Sequence, residues 1–186
     1  MRFILASASP RRKEILARIL SDFEVIPSEE DEAIPPDVST QKAVELLAIK
    51  KAESVAARNP DACVLGADTV VSFEGKKLGK PKDPDDAVRT LTMLSGRLHD
   101  VFTGWCIVNG ANRISGTERS SVRFRCLDEE FIHGYVASGS PMDKAGSYGI
   151  QDDPRLVAEY SGSFTNIMGL PEEKIREILK EIRIIK

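Results

Sequence analysis

The chain has 186 residues, of which 41% are hydrophobic, 6% aromatic and 30% charged, a length that suits one domain of 1–186, undivided or in two lobes, with a buried core. Twenty-nine acids against 26 bases leave a formal charge of -3, which excludes a global cationic coat for nucleic acid while leaving room for a local basic site. Apolar runs such as Phe3 to Ala6 are far shorter than the about 20 residues of a membrane-crossing helix, and Arg2, Arg11, Arg12 and Lys13 flank no leader-peptide core. A soluble, cytoplasmic protein is expected. Cys63, Cys106 and Cys126 are odd in number and widely spaced, and read as buried free thiols of a reducing compartment.

The first strand falls on Phe3 to Ala6. Ser9 as N-cap with Pro10 at the first helical position then opens a helix along Ile15, Leu16, Ile19 and Leu20. Phe23 to Ile26 forms a second strand, and the acidic, proline-bearing stretch from Ser28 to Asp37 is a loop. Ser39 or Thr40 opens a long helix toward Arg58, with Val44, Leu47, Ala48, Lys51 and Val55 along one side. Ala62 to Leu65 is a strand that runs through Gly66-Ala67-Asp68-Thr69 into Val70-Val71, and Glu74-Gly75 turns it back to Lys77-Leu78. Asp83-Pro84 starts a helix through Val88, Leu91 and Leu94 that stops at Ser95-Gly96. From Leu98 to Leu127 the period is two, with a turn at Asn109 to Asn112, which predicts an antiparallel pair with one wet face. Asp128 caps a helix carrying Phe131, Ile132, Tyr135 and Val136. The stretch from Ser140 to Gly169 is too long for mere connection. A final helix carries Ile175, Ile178, Leu179 and Ile182. The pattern is α/β with a mixed sheet.

Three places break the rule of their own element. Arg11 and Arg12 occupy the positive end of a helix, where a cation is unfavourable by ~0.3–1 kcal/mol unless an anion binds beside it; otherwise both point into solvent. Lys51 lies on an apolar stripe, so it either snorkels to water or meets a charged partner. Asp68 sits within a strand, where a buried carboxylate needs donors or a cation, unless it marks a bulge or a surface position. Gly79-Lys80-Pro81-Lys82 adds cations. Glu29, Glu30, Asp31 and Glu32 are either a solvated loop or carboxylates for a hard metal. No P-loop and no G-x-S-x-G elbow occurs, and His99 and His133 read as structural or exposed.

Leu5-Ala6-Ser7-Ala8-Ser9-Pro10-Arg11-Arg12, Gly66-Ala67-Asp68-Thr69-Val70-Val71 and Gly79-Lys80-Pro81 resemble the Maf family of nucleoside triphosphate pyrophosphatases. So do Leu94-Ser95-Gly96-Arg97, the run from Pro141 to Gln151, and Met168-Gly169-Leu170-Pro171, in order over nearly the whole chain. The resemblance implies an elongated mixed β-sheet flanked by helices, an inosine triphosphatase-like α/β fold of two lobes with a central cleft. It implies a cytoplasmic, metal-dependent enzyme, in many members a homodimer, that hydrolyses a nucleoside triphosphate to monophosphate and pyrophosphate. Carried over residue by residue, Ser7, Arg11, Arg12, Lys51 and Lys80 hold the phosphates. Glu32 and Asp68 hold Mg2+ or Mn2+, Asp68 is the general base, and Thr69 and Gln151 read the pyrimidine. Asp143 and Lys144 form an ion pair that supports the pocket loop.

The 7-methyl-GTP branch of that family carries tryptophan, glutamine and glutamate at Arg11, Thr69 and Gln151, so these three match the dTTP/UTP branch. Asp152-Asp153-Pro154 and the run from Ser161 to Asn166 depart from the usual pattern near the implied base pocket, which bears on preference rather than on the reaction. The rival functions are 7-methyl-GTP hydrolysis and regulation of cell division through a bound partner. Neither nucleic acid nor membrane is an expected partner.

Overall fold

The structure, a computed structural model, describes residues 2–31, 33–34 and 36–186. Strand β1 (Arg2–Leu5) is apolar after its first residue, and pairs in parallel with β2 (Glu24–Val25) on one side and β3 (Ala62–Phe73) on the other. Between β1 and β2 runs α1 (Pro10–Ala17), which starts at the expected place: the Ser9 side chain accepts from the Arg12 N–H and proline takes the first turn. Helix α2 (Thr40–Ala57), capped by Ser39, connects β2 to β3. Strand β4 (Lys76–Leu78) folds back on β3 through Glu74 and Gly75, at φ 48° and 78°, the left-handed pair that a tight hairpin requires.

Asp83 caps α3 (Pro84–Leu94), and a hairpin follows: β5 (Leu98–Asn109) and β6 (Asn112–Phe124) joined at Gly110-Ala111. Asp128 caps α4 (Glu129–Ala137), and two single 3-10 turns, Ser140–Asp143 and Ala145–Ser147, lead to β7 (Val157–Ser161). Short α5 (Phe164–Met168) and amphipathic α6 (Glu172–Glu181) complete the chain, α6 burying Ile175, Ile178 and Leu179. Among the described residues seven strands form one mixed sheet in the order β2-β1-β3-β5-β6-β7, with β4 on β3. No helix among them is long and apolar enough to cross a membrane.

The chain divides into two compact units. The first comprises the chain up to Asp68, Thr103–Glu118 and Gly169–Lys186; the second comprises Thr69–Phe102 and Arg119–Met168. In the first, Ile4, Ala6, Val64 and Cys106 pack on Ala48, Ala52 and Val55 of α2. In the second, the rings of His99, Phe124 and Tyr148 meet edge to face at 4.7 to 5.4 Å. His99 is 2% exposed and its Nε2 shares a hydrogen bond with the Tyr148 hydroxyl at 2.9 Å. Burial pushes that imidazole down to about 4, so it is a neutral core group, the structural one of its two expected readings.

Two expectations are corrected. The strand pair lacks a wet face along part of its length: Thr103 to Ile107 are buried without a break. The reason is Gly104, whose missing Cβ admits the α2 backbone, while Trp105 lies over Gly116. Cys63 and Cys106 are buried, with thiols pushed up by burial, but Cys126 is exposed. The stretch after Ser140 is more than connection, as expected: it contains the strand β7 and the helix α5.

Candidate active site

Alternation along β3 puts Val64, Gly66 and Asp68 on one face. A Cβ on Gly66 would stand 2.6 Å from the Ala48 carbonyl oxygen and 2.8 Å from the Ala52 nitrogen, and one on Gly104 2.2 Å from the Val44 carbonyl oxygen. Two glycines on strands and two alanines on the helix thus let α2 rest on the sheet at backbone distance. Lys51, between those alanines, then reaches Asp68: its Nζ donates to Oδ1 at 2.6 Å. The lysine is 5% exposed and the aspartate 8%. Asp68 neither breaks the strand nor marks a surface position, and Lys51 does not snorkel to water. Removing two charges from water costs several kcal/mol per ion, which mutual attraction roughly offsets. Such a pair adds little net stability and is a candidate for chemistry instead.

Strands β1 and β3 run parallel with Leu5 opposite Leu65, so Ser7, just past the carboxyl end of β1, lies beside the Gly66–Asp68 stretch in the middle of the longer β3; the carboxyl end of a parallel strand is where ligands bind in open α/β sheets. Ser7 is buried, and its hydroxyl accepts from the Ser9 N–H and from Arg12 Nη1, both at 3.2 Å. Arg12 Nε donates to the Gly169 carbonyl at 2.8 Å, which ties α1 to the turn before α6. Arg12 therefore does not simply point into solvent, and no acid occupies the first turn of α1 to cancel the two arginines there. Arg11 is half-buried. This end carries the positive charge of two arginines and of a helix N-terminus, with serine hydroxyls beside it, the donors a phosphate chain requires.

The remaining candidates belong to the second unit. Thr69 follows Asp68 on β3 and is half-buried; Lys80 is exposed in the loop after β4, where the neighbouring Gly79 carbonyl accepts from the Gly146 N–H at 3.0 Å. Gly146 needs its left-handed φ of 68° and its bare Cα, since a Cβ would stand 2.6 Å from Val71 Cγ2. Lys144 pairs with Asp143 at 2.9 Å as expected, and also with Asp152 at 3.5 Å. Gln151 is exposed and donates through Nε2 to Asp152 Oδ1 at 2.9 Å. Asp152, Tyr135 and Ser140 were missed as partners. The only signal was that Asp152 departs from the usual run after Gln151.

A hard divalent ion takes one or two protein carboxylates and completes its shell with phosphate oxygens and water. Asp68 is a donor of that kind. Glu29 is engaged by Arg58 at 3.4 Å, Glu30 by Lys50 at 3.2 Å, and Asp31 by the Ala33 N–H at 3.0 Å. Glu32 lies outside the described residues. Among those described, no three His, Cys, Asp or Glu side chains gather into a metal site.

By fold this is an α/β protein of the type seen in the Staphylococcus aureus Ham1 protein, which aligns with a TM-score of 0.56 and 16% identity over 98% of this chain and all of that one. Within that type the chain belongs to the Maf family: the profile described as Maf-like protein matches residues 2–182. It is 46% identical to the dTTP/UTP pyrophosphatase of Thermococcus gammatolerans over 183 residues, covering 96% of this chain and 97% of that protein. The dTTP/UTP pyrophosphatase of Moorella thermoacetica is also 46% identical, with 96% and 93% covered. That of Bacillus cereus strain B4264 is 44% identical, with 98% and 96% covered.

Proposed function

We propose that this chain, as one catalytic domain in the cytoplasm, hydrolyses dTTP and UTP to the monophosphate and pyrophosphate and so clears unwanted nucleotides from the pool. The observation that carries the reading is the buried Lys51–Asp68 pair, which lies beside the carboxyl end of β1 with Ser7 and the first turn of α1. The names of relatives 46% identical along nearly their full length support it. Arg11, Thr69 and Gln151 favour the pyrimidine branch over 7-methyl-GTP.

A triphosphate carries about four negative charges near neutral pH, which preorganised donors and cations must meet. Ser7, Arg11, Arg12, Lys51 and Lys80 supply them. Asp68 takes a proton from the water that attacks the α phosphorus, the bond to the bridging oxygen breaks, and pyrophosphate leaves with that oxygen. Mg2+ or Mn2+, held by Asp68 with Glu32, would neutralise phosphate charge and polarise the reacting phosphoryl group. Thr69 and Gln151 meet the pyrimidine edge, whose carbonyls and imide N–H suit hydroxyl and amide partners.

Turnover of UTP in heavy-oxygen water tests the reaction. The reading predicts label in UMP and none in pyrophosphate. Release of UDP and inorganic phosphate would overturn it.

A further inference from the structure

Gln151 is held by a cluster within the second unit that the proposed reaction does not use. Asp152 Oδ2 accepts from the Tyr135 hydroxyl at 2.6 Å and the Ser140 hydroxyl at 2.7 Å, with the Lys144 ammonium at 3.5 Å. Its Oδ1 accepts from Gln151 Nε2. The Tyr135 hydroxyl oxygen in turn accepts from the Gly149 N–H at 3.1 Å. Gly149 leaves the space the carboxylate fills, since a Cβ there would stand 2.6 Å from Asp152 Oδ1. Burial, and then the bond to Asp152, push the Tyr135 phenol upward, so it remains a donor near neutral pH.

A carboxylate accepts and does not donate, so only the NH2 end of an amide can face it. With Oδ2 taken by two hydroxyl donors and faced by the Lys144 ammonium, Oδ1 orients the Gln151 amide in one sense, its carbonyl and second N–H turned away from Asp152. Uracil and thymine present a carbonyl beside an imide N–H. Cytosine presents an amino group beside a bare ring nitrogen, the same edge with donor and acceptor exchanged. An amide free to rotate by half a turn serves both edges; one fixed in a single sense serves one. We propose that Asp152 is a specificity-determining positioning residue, which locks the Gln151 amide so that it accepts the imide edge and rejects cytosine. This rests on the reading that Gln151 meets the base.

The test measures kcat/KM for UTP and CTP on the full chain, for the unchanged protein, Asp152→Asn, Gln151→Ala and the double variant. Asparagine keeps the size of Asp152 but can donate to the Gln151 carbonyl, which frees the flip. The UTP-over-CTP ratio is expected to fall about tenfold in Asp152→Asn, in the range of a mispaired polar edge, and no further in the double variant than in Gln151→Ala. Asp152→Ser removes the carboxylate differently and should give the same fall should the asparagine variant not fold. Tyr135→Phe deletes one donor to Oδ2 and leaves Oδ1 to Gln151, so it should keep the ratio. A ratio lost in Gln151→Ala but kept in Asp152→Asn and Asp152→Ser would overturn the lock while leaving the base contact standing. A ratio kept in Gln151→Ala would overturn the base contact and the lock together.

Discussion

Two buried lysines meet carboxylates in this chain, and they are built differently. In the first unit Lys51 joins Asp68 through Oδ1, on a strand and a helix pressed together at Gly66. In the second, Lys144 reaches Asp152 in a loop where Tyr135, Ser140 and Gln151 also donate to the same carboxylate. A carboxylate with donors on both oxygens is a structural hub, because satisfied polar networks fix geometry. Among the described residues Asp68 is held by a side chain through one oxygen only, and on the proposed function its other oxygen serves the attacking water or a cation. Each pair also depends on a glycine. Gly66 makes room for helix backbone, whereas Gly149 makes room for the carboxylate of Asp152, which can move only by giving up its hydrogen bonds.

The sharpest way to break the comparison is to neutralise one aspartate at a time. Asp68→Asn should lower kcat by ~10² or more through loss of the base, with the circular dichroism spectrum unchanged, because the amide oxygen still accepts from Lys51. Asp152→Asn should leave a working enzyme with altered preference. Equal losses in both would erase the distinction.

Acid should act on the second unit through His99. Its imidazole is pushed from 6.5 down to about 4, so between those values the unfolded chain binds a proton that the folded chain does not. Stability therefore falls as pH drops from 6.5 to 4, by about 3 kcal/mol in all, and levels off below. Denaturant titrations across that range should show the slope, and His99→Gln should flatten it. A slope unchanged in the variant would place the acid sensitivity elsewhere.

Gly66→Ala should cost ~1–3 kcal/mol as an overpacked contact and should also reduce turnover, since shifting α2 moves Lys51 from Asp68. A stability loss with full kcat would show that the pair tolerates the displacement. Gly149→Ala should also cost ~1–3 kcal/mol, since its Cβ displaces an Asp152 carboxylate that hydrogen bonds hold on both oxygens, but should shift the UTP-over-CTP ratio without a comparable fall in kcat.

The parts of this account that were legible in sequence share a local cause. Ser9-Pro10, Asp83-Pro84 and Asp128 announce helix starts because capping is settled within four residues, and the structure places helices there. Lys51 and Asp68 were legible as violations: a cation on an apolar helix stripe and a carboxylate within a strand each demand a partner. That each is the other's partner needed the close packing at Gly66. The Asp152 hub was not legible, because its donors stand 12 and 17 residues away with no periodicity linking them. Strand β7 escaped because it is mostly exposed and lacks apolar alternation. The continuous burial from Thr103 to Ile107 follows from a helix laid on Gly104, which no strand pattern encodes.

The most direct test of the central claim is pyrophosphate release, with Mg2+ or Mn2+, from dTTP, UTP, CTP, 7-methyl-GTP and the common purine triphosphates, with Asp68→Asn alongside. Release confined mainly to dTTP and UTP, and lost in the variant, is the predicted result. Release from 7-methyl-GTP in preference to UTP, or undiminished release by folded Asp68→Asn, would contradict it.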